Sequence, residues 1–93
     1  MPTVTSSLSA EDTFTDPLNL VGYFNLSISG TFVATITVQR SFDKINWFDV
    51  DTFISPIETY GFDPSQLYYR AGIKTGAYTS GTAVVSLIEE QVN

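Results

Sequence analysis

Tyr23-Phe24-Asn25-Leu26-Ser27-Ile28-Ser29 places Phe24, Leu26 and Ile28 on one side of an extended chain and Tyr23, Asn25, Ser27 and Ser29 on the other. Successive strand side chains point to opposite faces, so this period of two predicts a half-buried strand. Beyond Gly30 the alternation resumes. Phe32, Ala34, Ile36 and Val38 hold the apolar phase, and Thr31, Val33, Thr35, Thr37 and Gln39 the outer one. Ser29-Gly30 is therefore expected as a tight hairpin turn, with the outer threonines lining a solvent-facing sheet surface.

The same grammar extends toward the C-terminus. Asp43 and Asn46 interrupt the alternation within Ser41-Phe42-Asp43-Lys44-Ile45-Asn46, and it returns from Trp47 to Phe53, with Phe48 and Val50 opposed by Asp49 and Asp51, so a second hairpin is expected. Residues 54–59 carry Pro56, which cannot donate to a ladder, and read as an edge strand or a crossing loop. Gly61-Phe62-Asp63-Pro64-Ser65 has the residues of the next turn. Leu67, Tyr69, Ala71 and Ile73 alternate against Tyr68, Arg70, Gly72 and Lys74, and Ala83, Val85 and Leu87 against Val84, Ser86 and Ile88, with residues 75–81 as a polar loop between them. Short strands separated by turns about every ten residues, with no helical period, predict an all-β fold: a single-domain antiparallel β-sandwich, jelly-roll-like or Ig-like. Its inward residues are expected to include Phe24, Leu26, Ile28, Phe32, Ala34, Ile36, Val38, Ala71, Ile73, Val85 and Leu87. Residues 1–12, rich in Ser and Thr and without sustained period, read as an N-terminal arm ordered only by contact with something else, which leaves 13–93 as the domain.

Composition narrows the function classes. A chain of 93 residues suits one small domain. It contains neither His nor Cys, which removes disulfide frameworks, Cys/His zinc sites, thiol nucleophiles and every triad built on imidazole. Ten acids against four bases give a net charge of -6, whereas phosphate backbones are held by clustered Lys and Arg, so no nucleic-acid partner is expected. The apolar runs are a few residues long, far from the roughly 20 that span a bilayer, so no membrane segment is expected. The first ten residues lack the basic and apolar regions of a secretion signal, so the product is expected to stay where it is made.

Few residue groups suggest chemistry. Asp43, Asn46, Asp49 and Asp51 form the densest set of hard oxygen ligands, but they lack the glycine and terminal Glu of a dedicated calcium loop, and strand alternation accounts for Asp49 and Asp51 as solvent-facing residues. As paired acids for glycoside hydrolysis the same aspartates have no burial to raise one of them. No catalytic, cofactor or metal residue is therefore assigned. Trp47, Tyr60, Tyr68 and Tyr78 offer ring faces for a sugar-stacking platform, though aromatic residues in strands more often serve a core or a subunit interface. The triplet Asn25-Leu26-Ser27 matches a glycosylation acceptor but lies within a predicted strand.

Three segments carry a resemblance: Gly30 to Asp43 followed by Trp47, then Tyr68-Tyr69-Arg70-Ala71-Gly72, then Tyr78-Thr79-Ser80-Gly81-Thr82-Ala83. Together they resemble the small β proteins found among the structural genes of tailed bacteriophages, notably capsid decoration (cement) proteins. Relatives often have a Gly-rich turn after Ser-Phe-Asp, where this chain has Lys44-Ile45-Asn46. The resemblance implies a virion structural protein, made in the host cytoplasm, that sits on the outer surface of the capsid, binds the major capsid protein and stabilises the shell. So small a subunit would hold by symmetric multivalency, for which the resemblance implies a homotrimer. Exposed loops on a rigid sandwich can carry recognition without disturbing the core, so Phe42, Lys44 and Asn46 in one turn and Thr75, Tyr78, Thr79 and Ser80 in the other are the expected partner contacts. A head-to-tail or tail subunit and a carbohydrate-binding adsorption module are the alternatives.

Overall fold

The computed structural model describes residues 3–90, all of whose regular structure is antiparallel strand. The strands are β1 (Thr3–Leu8), β2 (Thr13–Phe14), β3 (Leu18–Ala34), β4 (Ile36–Ser41), β5 (Phe48–Phe53), β6 (Ile57–Ile73) and β7 (Tyr78–Glu89). They hydrogen-bond in the order β1-β7-β3-β6-β4-β5, with β2 continuing along the edge of β6. Two seventeen-residue strands organise this arrangement. Strand β3 pairs with β6 from Leu18 to Ile28 and with β7 from Phe24 to Ala34, while the last part of β6 pairs with β4. One phase of every long strand feeds a single core: Leu18, Leu20, Phe24, Leu26 and Ile28 meet Leu67, Tyr69, Ala71 and Ile73, then Ile36, Val38, Ala83, Val85 and Leu87. Among the described residues no helix covers this face, yet seven of its side chains, among them Leu20, Ile36 and Leu87, lie wholly within the protein. The all-β antiparallel expectation holds, with the seven strands in one sheet that closes over its own apolar face. Phe32 and Ala34, expected inward, are half-buried and pack against this core.

Four expectations about segment boundaries are corrected. Ser29-Gly30 is not a hairpin turn, because β3 runs through it to Ala34. Gly30 and Gly81 both have positive φ (98° and 85°) and flank the Thr31–Thr82 pair on opposite strands, so the glycines kink the β3–β7 ribbon without reversing it. Gly61-Phe62-Asp63-Pro64-Ser65 likewise lies within β6. The register moves from Leu20↔Leu67 to Gly22↔Asp63, so Pro64, Ser65 and Gln66 bulge outward opposite Val21, where Pro64 costs no ladder bond. The Val21 N–H, beside the bulge, donates to Glu89 Oε2 at 2.8 Å. Residues 78–81, read as part of a loop, begin β7 and pair with the end of β3.

The fourth correction concerns the N-terminal arm. Thr3–Leu8 pairs with β7 over six residues without a register shift, from Thr3↔Ile88 to Leu8↔Ala83, and Leu8 enters the core. These residues are ordered by the domain's own last strand. Sequence inspection missed them because Val4 and Leu8 are the only large apolar residues in the segment and Ser6 holds the inward position between them. Met1 and Pro2, the start of the expected arm, lie outside the described residues.

Candidate interaction surface

The turn joining β4 to β5 is built from its own side chains. Ser41 is buried, donates its hydroxyl to Asp43 Oδ1 and accepts the N–H groups of Asp43 and Lys44. Asp43 Oδ1 also accepts the N–H groups of Ile45 and Asn46, both at 2.9 Å, and Oδ2 accepts the Asn46 amide at 3.1 Å. Lys44 occupies the left-handed region at φ 65°, the conformation a glycine would take most easily, and its ammonium lies 5.0 Å over the Tyr68 ring. With the polar groups turned inward on themselves, the apolar ones are left outside: Phe42 is 70% exposed and Ile45 79%.

Strand β5 extends this apolar surface. Its alternation was legible, but it is an edge strand bonded to β4 alone, so Phe48 and Val50 remain exposed. Arg40, Phe42, Phe48, Asp49 and Val50 line an open groove of about 450 Å³. Arg40 stands at its back, its guanidinium 5.9 Å from the Phe42 ring centroid and its Nε 3.5 Å from buried Asp63. Asp63 in turn accepts the Tyr69 hydroxyl at 2.7 Å and the Ser65 N–H at 2.9 Å, so the bulge in β6 supports the wall of the groove.

On the neighbouring outer face Arg70 lies between two rings, 4.1 Å from the Phe14 centroid and 4.2 Å from that of Trp47. Its Nε donates to Gln39 Oε1, the Gln39 amide donates to Asp49 Oδ1, and Asp49 Oδ2 accepts Lys74 Nζ at 2.8 Å. This layer is why Gln39, expected to face water, is buried. Thr37 is buried as well, beside Gly72, whose missing side chain makes room for Phe14. The hydrogen bonds from Lys74 and Gln39 hold the Asp49 carboxyl below its usual range. Those from Asn46, Ile45 and Ser41 hold Asp43 far below it. Asp43 is thus committed to its own turn and Asp49 ties the hairpin to Lys74 beyond β6, and among the described residues no three acidic side chains converge as a metal would require.

A group whose folded pKa is depressed stabilises the fold above its unfolded value and loses that contribution as pH falls through the folded one. Both depressed groups belong to this hairpin, so its order is expected to be constant from neutral pH to about pH 4, the ordinary aspartate value, and to decline below it. Amide exchange of residues 43–46 against pH measures this, and Asp43→Ala should expose those amides already at pH 7.

The two expected contact loops do not form one site. Ser41 pairs with Tyr68 and Thr37 with Gly72, which puts Phe42, Lys44 and Asn46 at one end of the β4–β6 ladder and Thr75 beyond the other, about 15 Å away or more at strand rise. Thr75 is exposed in the short β6–β7 turn, Thr79 and Ser80 are exposed on β7, and half-buried Tyr78 packs against the core and donates its hydroxyl to the Gly81 carbonyl. The sugar-stacking set is dispersed too: Trp47 stacks on Arg70, Tyr68 lies under Lys44, and only Tyr60 is strongly exposed. Tyr60 belongs to a cluster that sequence inspection did not single out. Tyr23 lies 6.5 Å from Tyr60 and 4.7 Å from Phe62, with the rings tilted by 53° and 50°. Its signal was the alternation of Tyr60 and Phe62 around Gly61, hidden by reading that segment as a turn. No family model, no curated protein and no solved structure matches the chain.

Proposed function

We propose that the chain is a structural subunit of a tailed-phage virion, a decoration protein that binds the major capsid protein on the outer surface of the head and stabilises the shell as a multimer. The observation that carries this reading is the β4–β5 hairpin. Phe42 and Ile45 project from a turn whose polar groups satisfy one another, and Phe48 and Val50 continue the apolar surface along a free edge. A rigid, apolar, loop-borne surface of this kind suits docking onto another protein better than capture of a small molecule. The tilt between the exposed rings around Tyr23 favours protein contact over a flat sugar platform. The resemblance of the Ser41-Phe42-Asp43, Tyr69-Arg70 and Tyr78-Thr79-Ser80-Gly81-Thr82 segments to phage decoration proteins supplies the biological setting.

A density map of the particle that contains this chain tests the reading. The expected result is density outside the shell with the Phe42–Phe48 hairpin against capsid subunits; density within the neck or tail would overturn it. Phe42→Ser with Ile45→Ser should lower cosedimentation with capsids at least tenfold while leaving the melting temperature within about 2 °C, as expected when exposed residues are changed.

A further inference from the structure

Among the described residues β1 and β5 are the outermost strands of the sheet order, and they differ in charge and regularity. Strand β5 carries Asp49 and Asp51, and its ladder with β4 contains a register shift between Val38 and Gln39. Antiparallel pairing of two β5 strands centred on Asp49, Val50 or Asp51 would set aspartate against aspartate. Charges and bulges are the devices that protect a sheet edge from another strand. Strand β1 has neither. Its six residues and the stretch of β7 that they pair with, from Ala83 to Ile88, contain no charged side chain, and the register between them is unbroken.

The β1 sequence is also symmetric in polarity. Thr3-Val4-Thr5-Ser6-Ser7-Leu8-Ser9 reads the same in both directions about Ser6, polar and apolar positions included. Antiparallel pairing about a twofold axis at Ser6 would set Val4 opposite Leu8 of a second copy on the core side and Thr5 opposite Ser7 on the outer side. In a chain of net charge -6, this uncharged edge lets two copies meet without bringing carboxylates together. We infer that β1 is a self-association edge, along which a second copy of this chain adds its own β1 antiparallel, joining two sheets into one through main-chain hydrogen bonds.

This inference deepens the multimer part of the reading above and is separate from shell binding by the β4–β5 hairpin. It assigns a twofold axis, in place of the threefold one that the resemblance implies. The test is sedimentation of the full chain and two double variants. The wild type should sediment at twice the chain mass. Thr5→Lys with Ser7→Lys sets lysine against lysine across the axis and should weaken association at least tenfold. Thr5→Lys with Ser7→Glu sets lysine against glutamate and should restore it. A wild type that is monomeric or of threefold mass, a double-lysine variant that associates as the wild type does, or a lysine–glutamate variant that stays monomeric would each overturn the inference. Should a variant fail to fold, amide exchange of the wild type decides: protection over Thr3–Leu8 must rise with chain concentration, and constant protection would overturn the pairing. Capsid cosedimentation of the same samples reads the hairpin separately, so loss of shell binding with an intact dimer counts against the function alone.

Discussion

Ile36→Ala is expected to lower stability by about 2–5 kcal/mol, the cost of removing buried methylenes and leaving a cavity. Ile36 has no exposed surface, opens β4 opposite Phe53 and contributes to the single core. The neighbouring strands are fixed on both sides, since β4 is bonded to β5 and to β6, so the space cannot readily collapse. For a domain of this size the melting temperature should fall by roughly 10 °C or more. Ile36→Val should cost only about 0.5–1.5 kcal/mol. Equal effects from the two substitutions in chemical denaturation would mean that Ile36 does not pack as described.

Gly81→Ala is expected to be the other severe change, for reasons of backbone geometry. Gly81 has φ 85°, where a residue with a Cβ is strained by about 1–3 kcal/mol. Its added methyl would also meet the Thr31 carbonyl oxygen and approach the Phe32 Cα to 2.6 Å, both main-chain atoms of the paired strand, so the ribbon would have to open. Gly76→Ala provides the control. Gly76 has nearly the same φ, 82°, but nothing stands within 4 Å of its Cβ position, so this substitution carries the conformational strain alone. Equilibrium unfolding of the two variants should therefore separate strain from collision, with Gly81→Ala the less stable. If they lose the same stability, the close approach of β7 to β3 is not tight.

The contrast between these residues explains what the sequence discloses. The inward phase of Phe24, Leu26, Ile28, Ile36 and Val38 was legible because burial on one face imposes strict alternation. The places where strands end were not. Gly30, Gly61 and Pro64 are turn-forming residues that here produce a kink, a clearance and a bulge. Gly61 stands where a side chain would collide with the Phe24 ring, a tertiary demand that local sequence does not reveal. Strands of seventeen residues also lie well beyond the usual three to ten. The site divides in the same way. Asp43 and Asn46 marked the β4–β5 turn correctly, but the exposure of Phe48 and Val50 depends on nothing covering β5, which only the strand order reveals.

The pairing of β1 with β7 constrains how the chain can fold during its synthesis. Thr3 lies opposite Ile88 and Leu8 opposite Ala83, so β1 must wait for β7 to be made before it finds its ladder. Until then β1 has no native neighbour, and Leu8 has no core to enter. Closure of so distant a contact costs loop entropy before any compensating pairing forms, which predicts slow folding with β1 docking late. Strands β3 and β6 add to this delay, because each is shared between two ladders and the two halves of the sheet join through their pairing. A nascent chain that has not yet extruded β7 should therefore be held open, with the β7-facing side of β3 unpaired, and β1 should gain amide protection only after residues 78–89 have emerged from the ribosome.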